Sequence, residues 1–128
     1  MTTTLIKKIF IRPWHEADYD NAVTLNRDAE THIGMISETG DWAQDMEGIA
    51  DTFIKSGGEF FIGTLGQKFV VMGGFKKVSS HKAEIKRMRV TLTLQGRGIG
   101  RWFLSVLETK MLESGVTTVN VSTTSKQE

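Results

Sequence analysis

The change in hydrophobic period along residues 83–114 constrains the fold more than any other feature of this 128-residue chain. Apolar and charged residues alternate over Ala83–Leu92, which is typical of a β-strand with one buried face. The phase of the alternation slips between Ile85 and Met88, which predicts a β-bulge. Residues 99–114 then place four apolar side chains on one helical stripe: Phe103, Leu104, Leu107 and Met111. A strand, a glycine-containing loop and a helix in this order predict an α/β fold.

The rest of the chain supplies the other elements of a single α/β (α+β) domain over residues 1–128. The first half predicts a short strand around Ile9–Ile11, which Pro13 closes, and a helix from Asp18 to about Ala29. A loop over 30–41 follows, and then a helix at about Trp42–Lys55 that ends at Ser56-Gly57-Gly58. The second half predicts strands Phe60–Leu65, Phe69–Phe75 and Ala83–Leu92, the helix at 99–114 with Gly115 as its C-cap, and a strand Val116–Thr123. The order is β-α-α-β-β-β-α-β, built around an antiparallel meander.

Two dipeptides that contain glycine predict special backbone geometry within that meander. Gly66-Gln67 lies between two strands and predicts a two-residue hairpin turn with glycine in its first position. Gly73-Gly74 interrupts the following strand and predicts a bulge or a close approach of two backbones.

The composition excludes several classes of protein and of site. The chain has no cysteine, which excludes disulfides, thiolate metal sites and a cysteine nucleophile. Its three histidines lie far apart without metal-ligand spacing, so we predict no metal: His15, His32 and His81. No apolar run approaches the roughly 18 residues that span a bilayer, and the start of the chain lacks the apolar core of a secretory signal. We therefore expect a cytoplasmic protein that has no membrane partner.

Charge is distributed unevenly although the net charge is only +1. Residues 16–59 carry eleven acidic and two basic side chains, whereas residues 76–101 carry eight basic side chains and one acidic side chain. The second region is therefore a candidate site for an anion, and the first a candidate site for a cation. The alternative interpretation is that both regions are solvated surfaces whose charges cancel.

The loop Gln95-Gly96-Arg97-Gly98-Ile99-Gly100 lies between the strand and the helix and contains three glycines. Glycines allow a backbone to approach a ligand closely, and the free N–H groups at a helix start favour phosphate. A Walker loop is excluded because no Lys-Ser or Lys-Thr follows the last glycine. A dinucleotide fingerprint counted from Gly96 is excluded because Arg101 occupies the position of its third glycine.

This segment resembles the GNAT superfamily of N-acetyltransferases, whose pattern is Gln/Arg-x-x-Gly-x-Gly/Ala. Gln95, Gly98 and Gly100 match the pattern, and the resemblance extends to an opening Ile11-Arg12-Pro13 and to the order of elements along nearly the whole chain. It implies a mixed, mainly antiparallel sheet flanked by helices, with acetyl-CoA as co-substrate and no metal. It also implies that the backbone of Met88, Arg89 and Val90 runs beside the pantetheine arm and polarises the thioester carbonyl. The residues that the resemblance places at the phosphates are Gln95, Gly96, Arg97, Gly98, Ile99, Gly100 and Arg101.

Glu84 is the candidate catalytic residue. It precedes Gly100 by sixteen residues, where members of the family that acetylate histones carry a general base on the same strand. A base is needed because an alkyl amine with a pKa near ~10 is mostly protonated at neutral pH. The alternative interpretation is a surface carboxylate paired with Lys82 or Lys86.

The end of the chain departs from the family pattern. The tyrosine that commonly protonates the leaving thiolate comes after the last predicted strand, whereas this chain ends at Glu128 and has Tyr19 as its single tyrosine. The closing helix and strands of the family are missing as well. We therefore expect either a C-terminally truncated domain or a short member that completes its sheet by pairing the open final strand in a homodimer.

Three hypotheses follow for function. The first is an enzyme that transfers acetyl from acetyl-CoA to a primary amine of a small molecule or protein by direct attack. The alternative is a CoA-binding module without turnover. The third is a nucleic-acid-binding surface at residues 76–101, which is disfavoured because aromatic interleaving is sparse there.

Overall fold

A computed structural model describes residues 2–33, 48 and 53–121. The helices are α1 (Thr2–Lys8), α2 (Tyr19–Ile33) and α3 (Ile99–Glu113). The strands are β1 (Phe10–Pro13), β2 (Glu59–Leu65), β3 (Lys68–Lys77), β4 (Lys82–Val90) and β5 (Thr118–Val121). Short 3-10 turns at Glu16–Asp18 and Leu92–Leu94 precede α2 and follow β4.

The five strands form one sheet in the order β1-β2-β3-β4-β5. The first three pairings are antiparallel, whereas β4 and β5 run parallel. Parallel neighbours need a crossover connection, and α3 supplies it. The structure therefore confirms the predicted α/β class and the antiparallel meander from β2 to β4.

The two faces of the sheet carry separate apolar cores. On one face, α1 and α3 pack over a cluster that includes Val71, Phe75, Ile85 and Phe103. On the other face, α2 packs over a second cluster with Phe60, Ile62 and Met72 from the sheet. The segment connecting β4 to α3 therefore crosses from the sheet to the layer of helices that covers the first core.

Several element boundaries differ from the sequence prediction. The helix α1 was not predicted, because Thr-rich residues have low helix propensity and seven residues form too short a helix to be stable alone. It forms where Leu5 and Ile6 pack against the first core. Helix α2 continues to Ile33, into the segment predicted as a loop. The predicted helix at Trp42–Lys55 lies mostly outside the described residues, as do the last residues of the predicted strand Val116–Thr123.

The predicted bulge is present in β4. Gly74 pairs with Lys86 but Met72 pairs with Arg89, so β4 contains one residue more than β3 in this stretch. Arg87 in the bulge has a φ of 60°, a left-handed conformation that is uncommon for a residue other than glycine. The extra residue turns Met88 and Val90 towards the same core as Ile85.

Gly73 lies opposite this bulge, at the close approach that the sequence predicted. A Cβ atom at this position would lie 3.0 Å from Met88 Cα and 3.1 Å from Phe103 Cε2. The missing side chain therefore allows β3, β4 and α3 to pack together. The predicted hairpin turn is also confirmed, with Gly66 at a φ of 66° between the paired residues Leu65 and Lys68.

A capping motif and a side-chain hydrogen bond fix the C-terminal end of α3. Gly115 has a φ of 88°, its N–H donates to Leu112 O, and the N–H of Val116 donates to Met111 O, which together form a Schellman motif. Lys77 of β3 donates from Nζ to the carbonyl of Ser114 at 2.8 Å. The anchored end of the helix holds its opposite end at a fixed place above the sheet.

An ion pair joins β1 to the start of α2. Arg12 donates from both terminal nitrogens to the two Asp18 oxygens at 2.8 Å each, and the backbone N–H of His15 donates to Asp18 Oδ2. Asp18 is 5% exposed. The hydrogen bond from Arg12 and then that from His15 lower the pKa of Asp18 against the opposing effect of burial, and the same ion pair raises the pKa of Arg12.

Candidate active site

The loop between β4 and α3 is shaped by two glycines in the left-handed region. Gly96 has a φ of 79° and Gly98 has a φ of 82°. Gly98 is the N-cap residue of α3, and no side chain caps the helix. A residue with a Cβ adopts this conformation at a cost of about 1–2 kcal/mol, which explains why the loop uses glycine at both points.

The backbone N–H groups from Gly96 through Arg101 form a continuous series of unused donors. The first hydrogen bond of α3 runs from the N–H of Trp102 to Gly98 O at 3.0 Å. Before it, none of the six successive N–H groups forms a backbone hydrogen bond of good geometry within residues 2–33, 48 and 53–121. Such a series at the positive end of a helix dipole is a binding site for an anion such as a phosphate group.

Two cations flank these donors. Arg97 and Arg101 are exposed, one within the loop and one in the first turn of α3. In contrast, the side chain of Ile99 is 1% exposed and packs in the first core. Ile99 therefore anchors the loop to the protein interior, while its backbone N–H remains part of the donor series.

The end of β4 lies directly beside the first turn of α3. A Cβ atom on Gly100 would lie 3.6 Å from Val90 Cγ2 and 3.8 Å from Met88 Cε. Gln95 joins the loop to the end of β4, because its Nε2 donates to Val90 O at 2.9 Å. The structure thus brings the predicted cofactor residues of the strand and those of the loop into one contiguous surface.

Within the residues that the structure describes, the backbone of β4 beyond Ile85 has an open edge next to this surface. Among the described residues, β5 pairs with β4 from Lys82 to Ile85 and no further. The N–H of Thr91 donates to Val70 O, so the alternation of antiparallel pairing turns the N–H and the carbonyl of Val90 away from β3. This edge is where the sequence predicted a ligand beside Met88, Arg89 and Val90. The Arg89 side chain folds back along it, and Arg89 Nη1 donates to Met88 O at 3.0 Å.

Glu84 lies in the part of β4 that pairs with β5, not in the part whose edge is open among the described residues. It precedes Met88 by four residues, about 13 Å of extended strand, so the structure does not bring it into contact with the loop. Its side chain is 30% exposed, and Glu84 Oε1 lies 3.8 Å from Lys76 Nζ. Asn120 of β5 is its neighbour in register on the other side.

The structure places Lys76 beside Glu84, whereas the alternative interpretation of the sequence paired Glu84 with Lys82 or Lys86. Lys82 and Lys86 are two residues away on the same strand, whereas Lys76 is directly opposite on β3. Opposite residues in antiparallel strands have Cβ atoms about 5 Å apart, closer than residues two positions apart on one strand. The partner was missed because the register depends on the geometry of the turn at residues 78–81, which joins β3 to β4. Gln95 was predicted as a cofactor contact, and its side-chain bond to Val90 was missed as well.

Within the described ranges, none of the helices has the length and apolar character needed to cross a bilayer. No group of three or more His, Asp or Glu side chains converges there in a way that would hold a metal ion.

The fold and this loop define an α/β domain with a glycine-containing turn between its fourth strand and the helix that follows, and the sequence assigns that domain to a family. A sequence model described as the Acetyltransferase (GNAT) family matches residues 4–128. The chain therefore belongs to the GNAT acetyltransferase family. No curated protein matches the chain significantly.

Solved structures share the fold at low sequence identity. A GNAT-family acetyltransferase from Staphylococcus aureus Mu50 is 18% identical, with a TM-score of 0.82 over 93% of this chain and 75% of that one. An aminoglycoside acetyltransferase from an uncultured soil metagenome, in complex with sisomicin, is 20% identical, with a TM-score of 0.69 over 95% and 82%. The PaiA N-acetyltransferase from Thermoplasma acidophilum, in complex with coenzyme A, is 20% identical, with a TM-score of 0.68 over 84% and 74%.

Proposed function

We propose that the chain is an N-acetyltransferase that moves the acetyl group of acetyl-CoA to a primary amine. The observation that carries the proposal is the series of six unused N–H groups from Gly96 through Arg101. A diphosphate offers several anionic oxygens to such a series, and coenzyme A contains one. Family membership and the similarity to a structure that holds coenzyme A support the same ligand.

The proposed cofactor site has two parts. The loop amides, with Arg97 and Arg101, hold the diphosphate. The open edge of β4 at Met88, Arg89 and Val90 runs beside the pantetheine arm, and its outward N–H groups polarise the thioester carbonyl. Donors aimed at that oxygen stabilise the negative charge that develops when the amine attacks.

The amine attacks the thioester directly in this mechanism. The chain has no cysteine to form an acyl-enzyme, and among the described residues no serine hydroxyl is hydrogen-bonded to a histidine ring, since Ser79 Oγ accepts from the backbone N–H groups of His81 and Lys82. Glu84 accepts the proton of the substrate ammonium, through water where the substrate lies beyond the reach of its carboxylate. The CoA thiolate leaves and is protonated from solvent, which its pKa near ~8.5 permits.

Small-molecule amines are the acceptors to test first. The aminoglycoside acetyltransferase bound to sisomicin shares the fold over 95% of this chain. We also propose a homodimer in which the outer edge of β5 pairs with a second copy. Thr118, Val119 and Asn120 are all exposed, and β5 ends the strand order of the described sheet.

Calorimetric titration with acetyl-CoA, followed by a thiol-release assay over amines that include aminoglycosides, tests the activity. Binding with thiol release supports the acetyltransferase. Binding without release over the whole panel supports a CoA-binding module instead. No binding of acetyl-CoA contradicts both functions.

The loop is tested by Gly96→Ala. The substitution strains the left-handed backbone by about 1–2 kcal/mol and moves the N–H groups away from the diphosphate, so we expect affinity for CoA to fall about tenfold. Gly66→Ala is the matched control, because both glycines have a positive φ and an added Cβ meets no atom within 4 Å at either position. Equal affinity in the two variants, measured by calorimetry, would contradict the assignment of the loop.

The base is tested by Glu84→Gln. Loss of general-base catalysis is expected to lower kcat about 100-fold and to change the pH–rate profile, while the KM for acetyl-CoA stays constant. Glu108→Gln, at an exposed position of α3, controls for the change of charge. An unchanged pH–rate profile in Glu84→Gln would remove this residue from the mechanism.

A further inference from the structure

Gln95 makes two hydrogen bonds that close the loop back onto the sheet. Its Nε2 donates to Val90 O at 2.9 Å, and its backbone N–H donates to Leu92 O at 3.3 Å. The residue is half-buried. Both bonds lead to the segment immediately before the loop, so Gln95 closes a ring from the last residue of β4 to the first residue of the glycine turn.

The side-chain bond of Gln95 has no equivalent in the rest of the loop. In the part of the chain that the structure describes, no other side chain forms a hydrogen bond with residues 95–98. Gly96 and Gly98 add backbone freedom directly after it. Gln95 fixes the start of the donor series, directly before the two glycines that give its backbone freedom.

The acceptor of this bond lies on the proposed cofactor surface. The carbonyl of Val90 points away from β3, towards the open edge of β4. Gln95 satisfies that carbonyl and leaves the Val90 N–H on the same edge available for a ligand. The side chain therefore fixes the phosphate loop against the strand that holds the rest of the cofactor.

We propose that Gln95 is a positioning residue: it acts through Val90 to hold the loop amides in place and does not itself contact the cofactor. The proposal rests on the proposed function of the loop. It requires an N–H donor at the end of a long side chain, and both glutamine and arginine provide one. A methionine of similar length provides none.

Gln95→Met is the variant that tests the proposal, and Gln95→Arg is its rescue. We expect Gln95→Met to weaken CoA binding about five- to tenfold, the equivalent of one neutral hydrogen bond, and Gln95→Arg to remain within about twofold of the unmodified protein. The KM for acetyl-CoA should rise in Gln95→Met with little change in the KM for the amine. Gln67→Met, at an exposed position of the hairpin turn, makes the same chemical change outside the site.

Amide hydrogen exchange without ligand separates positioning from direct contact. The N–H groups of Gln95 and Trp102 are bonded to Leu92 O and Gly98 O, and we expect both to exchange faster in Gln95→Met and to be protected again in Gln95→Arg. Weaker CoA binding with unchanged exchange would overturn the proposal in favour of direct contact. Unchanged affinity in Gln95→Met, or equal weakening in both variants, would overturn it as well. If the unmodified protein does not bind CoA, the proposed function itself is wrong.

Discussion

Single residues hold this fold where the chain changes direction, and Asp18 shows this most clearly. Its carboxylate accepts two hydrogen bonds from Arg12 and one from the backbone of His15. Arg12 also lies over the Phe69 ring, with 5.7 Å from its guanidinium carbon to the ring centroid. One carboxylate thus connects the edge strand β1, the start of α2 and, through Arg12, the strand β3.

Asp18→Asn is expected to lower the free energy of unfolding at neutral pH by about 2 kcal/mol, because charge-assisted hydrogen bonds are lost. The pKa of Asp18 is lowered in the folded state. Its contribution is therefore complete above the unfolded pKa of about 3.9 and is lost as the pH falls through the folded value. Urea unfolding at pH 7 and near pH 3 should show a smaller difference between the two proteins at the acidic pH. Asp20→Asn, at an exposed position, is the control.

At the scale of elements, the site depends on how closely β3, β4 and α3 approach one another. The bulge in β4 and the absence of a side chain at Gly73 allow Phe103 to pack against the sheet. The Schellman motif and Lys77 hold the C-terminal end of α3. The N-terminal end of α3, with its unused donors, is consequently fixed by contacts made elsewhere in the helix.

Gly73→Ala is expected to lower the free energy of unfolding by about 1–3 kcal/mol, because the added methyl group meets the Met88 backbone and the Phe103 ring. Gly100→Ala is the comparison for stability, since its methyl group would make ordinary contacts at 3.6 and 3.8 Å. Denaturant unfolding of both variants measures the difference. Equal stability of the two would show that the packing between β3 and α3 adjusts freely.

The elements that could be predicted from the sequence are those whose signals are local. The alternation over β4, the turn at Gly66 and the helical stripe of α3 each specify their own structure. The helix α1 could not be predicted, because it depends on packing against the first core. Likewise, the bond from Gln95 to Val90 depends on the path of the backbone through the loop, and the pairing of Lys76 with Glu84 depends on the turn between β3 and β4.

At the scale of the whole molecule, the sheet has two different edges. β1 is a four-residue strand that ends at Pro13, which has no N–H to offer a further strand. At the other edge, β5 is exposed along Thr118–Asn120. The edge at β5 is therefore better suited to pairing with a second copy than the edge at β1.

The proposed dimer is tested by light scattering during size-exclusion chromatography. We expect the unmodified chain to elute with the mass of two copies. Val119→Lys, at a residue of β5 that is 38% exposed, should shift the population to single copies because a charged edge strand resists pairing. Leu112→Lys, at an exposed apolar position of α3, makes the same change of charge away from that edge. A single-copy mass for the unmodified protein would contradict the dimer.

The extra residue at Arg87 has a consequence for how this strand tolerates changes in length. If Arg87 were paired as an ordinary strand residue, the side chains after Lys86 would exchange faces, which would turn Arg89 towards the apolar interior and Met88 and Val90 away from it. Deletion of Arg87 would instead leave Ile85, Met88 and Val90 in regular alternation on the apolar face. The strand can therefore lose one residue here and keep its buried face, whereas a gain of one residue would place charge beneath the first turn of α3.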